Sequence, residues 1–186
     1  LIAESMGRTL GQQIVVENVG GAGGTIGMTR VAKSPADGYM VTVWHIAQAT
    51  APALYPDLKY DVVNDFDSIG RITDVPMTLV SKNALPSKNV TEFFAWLRAE
   101  KAKATYGHAG IGSSNFLICK SFENAAGIEV ALVGYRGAAP ALTDAIGGQI
   151  DGVCDSAASV SQAIDDKLVK GVVVGSTVRL ATLSDL

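Results

Sequence analysis

No basic cluster stands out anywhere in this chain: 15 Lys and Arg are set against 18 Asp and Glu, for a formal net charge of −3. Nucleic-acid binders present a cationic face, so that class is disfavoured from the start. No uninterrupted apolar run approaches the roughly 20 residues that span a bilayer, and the chain reads as water-soluble. Cysteine and histidine are scarce, with two of each. CxxC is missing, and His45 and His108 lie far apart, so a structural zinc site has no ligand set. Cys119, in the helical stretch FLICKSF, and Cys154, in the strand end GVCD, read as two buried free thiols. A disulfide would need their Cα atoms within about 7 Å, which spacing cannot show. Leu1-Ile2-Ala3-Glu4 has neither a basic start nor a cleavage site, and the chain begins without Met, as a processed or shortened product would.

What is present is apolar material and a regular alternation of patterns. Of 186 residues, 48% are hydrophobic, enough for one ordinary domain or two small ones. Leu1, Ile2, Met6 and Leu10 share a helical face that Gly11 ends. Ile14–Val16, Met40–Trp44, Phe66–Ile72 and Met77–Val80 read as short strands, with a helix between the first two running from a Thr25 cap to about Lys33. A second unit begins near Leu85-Pro86-Ser87. Its expected helices are VTEFFAWLRAEKA (90–102), SSNFLICKSFENAAG capped by Ser113 or Ser114 and ended by Gly127, AAPALTDAIGG with Pro140 in its first turn, and ASVSQAIDDK. Strands at ATYGH, VALVGY, QIDGVCD and GVVVGS alternate with them, which predicts an α/β fold with mainly parallel sheets.

In the second unit one arrangement occurs three times: GHAGIGSSN, GYRGAAP and CDSAAS each join a strand end to a helix start through small residues. Ligands in open α/β sheets collect at such carboxyl ends. Free N–H groups and the helix dipole there favour an anion. TVWHIAQ in the first unit offers a similar edge, and two facing edges would make a cleft.

The glycine loop VGGAGGTIG (19–27) invites comparison with a dinucleotide cradle. Gly21, Gly23 and Gly27 give GxGxxxG, one residue off the required spacing, and the next strand ends Val43-Trp44-His45 without the ribose-binding acid. No Lys-Ser/Thr follows, which removes the P-loop reading, and a conformational role is favoured. Nucleophilic catalysis finds no support either, since GIGSSN is not a GxSxG elbow and neither histidine is set in a triad. His45 is left as a ligand contact or a structural residue, and His108 as a cleft-lining or solvent-facing one. Asp155 reads as an N-cap for the helix at Ala157 that could also face the cleft. Arg136 could clamp a carboxylate or sit solvated.

Four segments carry more than pattern: VENVGGAGGTIGMTRVAKSPADGY, PALYPDLKYDVVNDF, YGHAGIGSSNFL and GYRGAAPALTDAIGGQIDGVCDS. In this order the chain resembles, over essentially its whole length, the periplasmic substrate-binding proteins of tripartite tricarboxylate transporters, the TctC-like or Bug family. The resemblance implies a two-domain Venus-flytrap of the type II periplasmic-binding class. Such receptors hold a small carboxylate through backbone amides and waters and deliver it to a two-component membrane permease. It further implies that Leu1–Leu186 starts just after the family's first strand and ligand loop and stops before the elements that complete the first domain. The expected divisions are 1–84 (an incomplete first domain), 85–174 (the second) and 175–186 (the start of the return crossover).

Carried over position by position, the ligand-binding residues are His45, Ile46, Ala47, Gly112, Ser113, Ser114, Asn115, Gly137, Ala138, Ala139, Asp155 and Ser156. His45 and Ile46 stand where the family has Ser or Thr, Ile111 replaces Asn, Phe116 replaces His, and Ser156 replaces Asn. The pocket is therefore expected to be more apolar, favouring a monocarboxylate or aromatic acid over citrate. The expectation is a monomeric periplasmic receptor without catalysis, metal or cofactor and without nucleic acid. The rivals are an NADP-dependent enzyme using Gly21–Gly27 and a sensory module with no transport role.

Overall fold

The computed structural model describes residues 2–100 and 103–183. Its centre is a five-stranded mixed sheet of order β3-β2-β4-β1-β5. The strands are β1 (Met77–Lys82), β2 (Thr105–His108), β3 (Ala131–Gly134), β4 (Gly152–Ser156) and β5 (Val169–Val174). β2 runs parallel to β3 and β4, whereas β1 runs antiparallel to β4 and β5. The sheet is thus half parallel rather than mainly so, because β1 enters it from the opposite direction. β1 also precedes the expected division at 84/85, yet its backbone bonds lie between β4 and β5.

Period-two alternation sends neighbouring side chains of each strand to opposite faces. Leu79, Tyr106 and Cys154 pack with Phe93, Leu97 and Cys119 on one face. Here lie α4 (Val90–Glu100) and α5 (Ser114–Ala126). The other face gathers Val80, Val153, Ala141, Ala145, Val160 and Ala163 under α6 (Ala138–Ile146) and α7 (Ala157–Asp165). α5, α6 and α7 follow the parallel strands β2, β3 and β4 and return the chain over the sheet, so these three helix starts line up at one edge. The last two residues of the expected helix 90–102 lie outside the described residues.

The ends of α5 follow from its sequence. Ser113 caps it, its Oγ accepting from the Phe116 N–H at 3.2 Å. Gly127 stops it in the left-handed conformation at φ 61°. Beyond that turn the buried Glu123 carboxylate accepts the Val130 N–H at 2.9 Å, steering the chain into β3.

The two cysteines are not free thiols. Cys119 and Cys154 form a disulfide with Cα atoms 5.6 Å apart, joining α5 to β4 in the core. One helical stretch and one strand end, 35 residues apart in sequence, meet because α5 lies directly on β4.

N-terminal to the sheet, α1 (Ile2–Leu10) and α2 (Thr25–Ala32) form as the patterns predict, and α3 (Ala47–Leu54) follows them. The cap of α2 is Gly24 rather than Thr25, whose hydroxyl instead donates to Ala22 O at 2.9 Å. The expected strands at Ile14–Val16, Met40–Trp44 and Phe66–Ile72 are not strands. An extended run becomes a strand only when a neighbour takes its hydrogen bonds. Among the described residues none pairs with these segments, and Val15, Val43 and Ile69 stay exposed.

Candidate functional site

The helix-start edge of the sheet is where β2, β3 and β4 end and α5, α6 and α7 begin. Two of its buried polar side chains, Asn115 and Asp155, form one connected group with the backbone of Ser156. Asn115, in the first turn of α5, donates through Nδ2 to Cys154 O at 2.7 Å and to Asp155 Oδ1 at 2.9 Å. The same Oδ1 accepts the Ser156 N–H at 2.7 Å. Ser156, not Asp155, is the N-cap of α7: its Oγ accepts from the Ser159 N–H at 3.2 Å, while Asp155 is still the last inward-facing position of β4. Asp155 is 4% exposed, and burial raises its pKa above the ordinary carboxylate value, although the bonds from Ser156 and Asn115 oppose the shift. One carboxylate therefore ties the starts of α5 and α7 together.

The start of α6 differs. Gly137 caps it at φ 120° with no side-chain bond, so no cap competes for the first amides of Ala138 and Ala139. The macrodipole adds partial positive charge there. Between β2 and α5 the chain makes a tight turn through Gly110 (φ 108°) and Gly112 (φ 78°), conformations that a side chain would strain. Gly110 O accepts the Ser113 N–H at 3.1 Å, and Ile111 projects outward from the turn.

Segments from the N-terminal part reach this turn. Tyr55, just past α3, donates its hydroxyl to Ile111 O in a short hydrogen bond. Gly23 packs so closely that a Cβ there would collide with Ile111 O and with the Tyr55 hydroxyl. Gly24 likewise lies on the Trp44 ring, where any Cβ would overlap it. The glycine loop thus sits against residues 110–112. At Gly23 and Gly24 the missing side chains are explained by close packing, in keeping with a conformational role for the loop.

Of the residues singled out from sequence, Ser113, Asn115, Asp155 and Ser156 are brought together by direct bonds or caps. Gly112 and Ser114 flank them, and Gly137–Ala139 begin the adjoining helix. His45, Ile46 and Ala47 start α3. Their link to the turn runs through Trp44, stacked on His45 at 4.5 Å, then Gly24 and Gly23. His45 Nδ1 accepts the Ala47 N–H at 3.2 Å, burial lowers its pKa, and Ile46 is exposed. Arg136 is exposed beside α6. His108 is buried at the end of β2, which removes its solvent-facing alternative. Sequence reasoning missed Tyr55 as a neighbour of this site; the PALYP segment carried the family resemblance but no sign of a contact 56 residues away. Among the described residues no group of three or more His, Cys, Asp or Glu is placed to hold a metal.

A helix-flanked sheet with three helix starts at one edge is the architecture of the periplasmic binding proteins. The model of the tripartite tricarboxylate transporter family receptor, TctC, matches residues 1–186, and the chain belongs to that family. A protein of Agrobacterium vitis, described as a UPF0065 protein in the TAR-I ttuE-ttuC' intergenic region, is 41% identical over 186 residues. That match takes in 100% of this chain and 54% of the relative, so the chain spans about half the relative's length. The structure of the periplasmic binding protein BugD superposes with a TM-score of 0.94 at 39% identity, covering 100% of this chain and 62% of BugD. MatC of Rhodopseudomonas palustris, solved with bound malate, superposes with a TM-score of 0.92 at 32% identity, covering 100% of this chain and 63% of MatC.

Proposed function

We propose that the protein is a periplasmic receptor that captures a small organic carboxylate at the helix-start edge and delivers it to a two-component membrane permease. It acts without catalysis, cofactor or metal and as a monomer. The observation that carries this reading is the side-chain-free start of α6 beside the tied starts of α5 and α7. Three dipoles and a set of uncapped amides make an anion site. The malate held by MatC belongs to the same chemical class. The buried disulfide suits an oxidising compartment. Ligand-binding residues are proposed to be those already named, with Asp155 accepting a ligand hydroxyl or serving only to hold Asn115. Trp44, Ile46 and Ile111 supply apolar walls, favouring an aromatic or monocarboxylic acid over citrate.

Thermal unfolding of the full-length protein with malate, citrate, benzoate and NADP tests the reading. A bound acid at a hundred times its dissociation constant raises stability by about 2.7 kcal/mol. Stabilisation by NADP and by no acid would overturn it. In the same assay Ser113→Ala is expected to lower stability by about 1 kcal/mol through loss of its cap, and to weaken the acid that binds.

A further inference from the structure

His108 plays no part in the reading above, yet it closes a ring of contacts around the 110–113 turn. Its Nδ1 accepts the Gly110 N–H at 3.1 Å; Gly110 O accepts the Ser113 N–H at 3.1 Å; Ser113 Oγ accepts the Phe116 N–H at 3.2 Å. The Phe116 ring then returns to the imidazole, 5.1 Å between centroids. The His108 carbonyl also accepts the Tyr135 N–H at 2.9 Å, so the residue is anchored at both its backbone and its ring. An imidazole that accepts at Nδ1 carries its proton on Nε2 and is neutral. We propose that His108 is a positioning residue whose neutral ring holds the Gly110–Ser113 turn in its ligand-receiving shape, so that acidification releases the turn and weakens carboxylate binding. The loss of binding rests on the function proposed above; the hold on the turn does not.

Protonation places a hydrogen on Nδ1, where the Gly110 N–H now points, and two donors cannot share that space. It also sets a positive charge at the start of α5, where the dipole opposes it. Burial already lowers the pKa of His108 below its ordinary 6.5. A depressed histidine pKa contributes stability that is full above about 6.5 and lost as pH falls from there toward the native value. Phe116 of α5 and Gly134 of β3 pack on the ring. The ionisable groups on the adjoining segments are Asp155 at the end of β4, Tyr135 and Arg136 after β3, Asp144 of α6 bonded to Tyr135, and Tyr55 across the turn. Among the described residues none of them is hydrogen-bonded or ion-paired to the imidazole. His45 makes the same contact two residues ahead, to the Ala47 N–H.

The test is an NMR titration of the nitrogen-15-labelled full-length protein from about pH 8 to about pH 5.5, the range in which histidine changes charge. The expected result is an Nε2–H tautomer for His108 and a Gly110 amide resonance that moves with the His108 midpoint. A His108 ring protonated at Nδ1 at high pH, or a Gly110 amide indifferent to its titration, would overturn the proposal. In parallel, malate affinity is expected to fall about tenfold across this range in the wild type, roughly one unit of linked protonation. It should stay flat in His108→Asn, whose Oδ1 keeps an acceptor that does not titrate. A fall that persists in His108→Asn assigns the effect elsewhere and defeats the proposal. If malate and the other acids do not bind at any pH, the receptor reading fails, while the wild-type titration still decides the role of His108.

Discussion

Replacing Gly152 by alanine will destabilise the protein by about 3 kcal/mol or more, a loss measurable as a lowered midpoint in urea unfolding. Gly152 opens β4 between two neighbours, opposite Ser81 of β1 and Tyr106 of β2. A Cβ there would overlap the Val80 carbonyl oxygen and lie 2.9 Å from Cζ of Tyr106. Neither obstacle can move cheaply. Val80 is backbone in a central strand and fully buried, and the Tyr106 ring, 1% exposed, is fixed edge-on against Phe93. The cost is steric rather than conformational, since Gly152 is not among the glycines with positive φ. Gly70→Ala is the matched control: nothing lies within 4 Å of its Cβ position, and the expected change is within about 0.5 kcal/mol. Equal midpoints for the two variants would show that β4 is not packed as described.

The second large effect belongs to the disulfide. Cross-linking residues 35 apart restricts the unfolded chain, and removing such a bond costs about 2–5 kcal/mol. Cys119→Ala/Cys154→Ala is the better variant, because serine would bury two hydroxyls in the apolar cluster around Leu79 and Phe93. The wild type should melt well above this double variant, and reductant should lower the melting temperature of the wild type only. Two titratable thiols in unreduced, denatured wild type would refute the bond. The loss should also reach the site: Asn115 lies one helical turn before Cys119 and donates to the carbonyl of Cys154 itself, so the covalent and polar ties act on the same two elements.

How much could be read from residues alone differs along the chain. In α5 every local signal agrees: a serine cap, an apolar face and a glycine stop, so its limits follow from the sequence almost to the residue. The start of α6 at Gly137 and the small residues after it were equally legible, because a helix start is a short-range property. The segments at Ile14–Val16 and Met40–Trp44 carry strand composition, but composition cannot supply a hydrogen-bonding neighbour. β1 shows the converse: its residues announce a strand, while its membership between β4 and β5 and its reversed direction depend on contacts with residues about 70 to 100 positions away.

For this protein the sequence by itself determined the kinds and limits of most elements from Met77 onward, the three small-residue helix starts, and the family. Those properties rest on backbone propensities, caps and periodicity, which act over a few residues. Only the tertiary structure decided that Cys119 meets Cys154, that Asp155 binds Asn115 rather than capping α7, and that Tyr55 and the glycine loop lie on the 110–112 turn. Each is a meeting of surfaces distant along the chain, settled by which helix lies on which strand and by how closely two backbones can approach where side chains are missing.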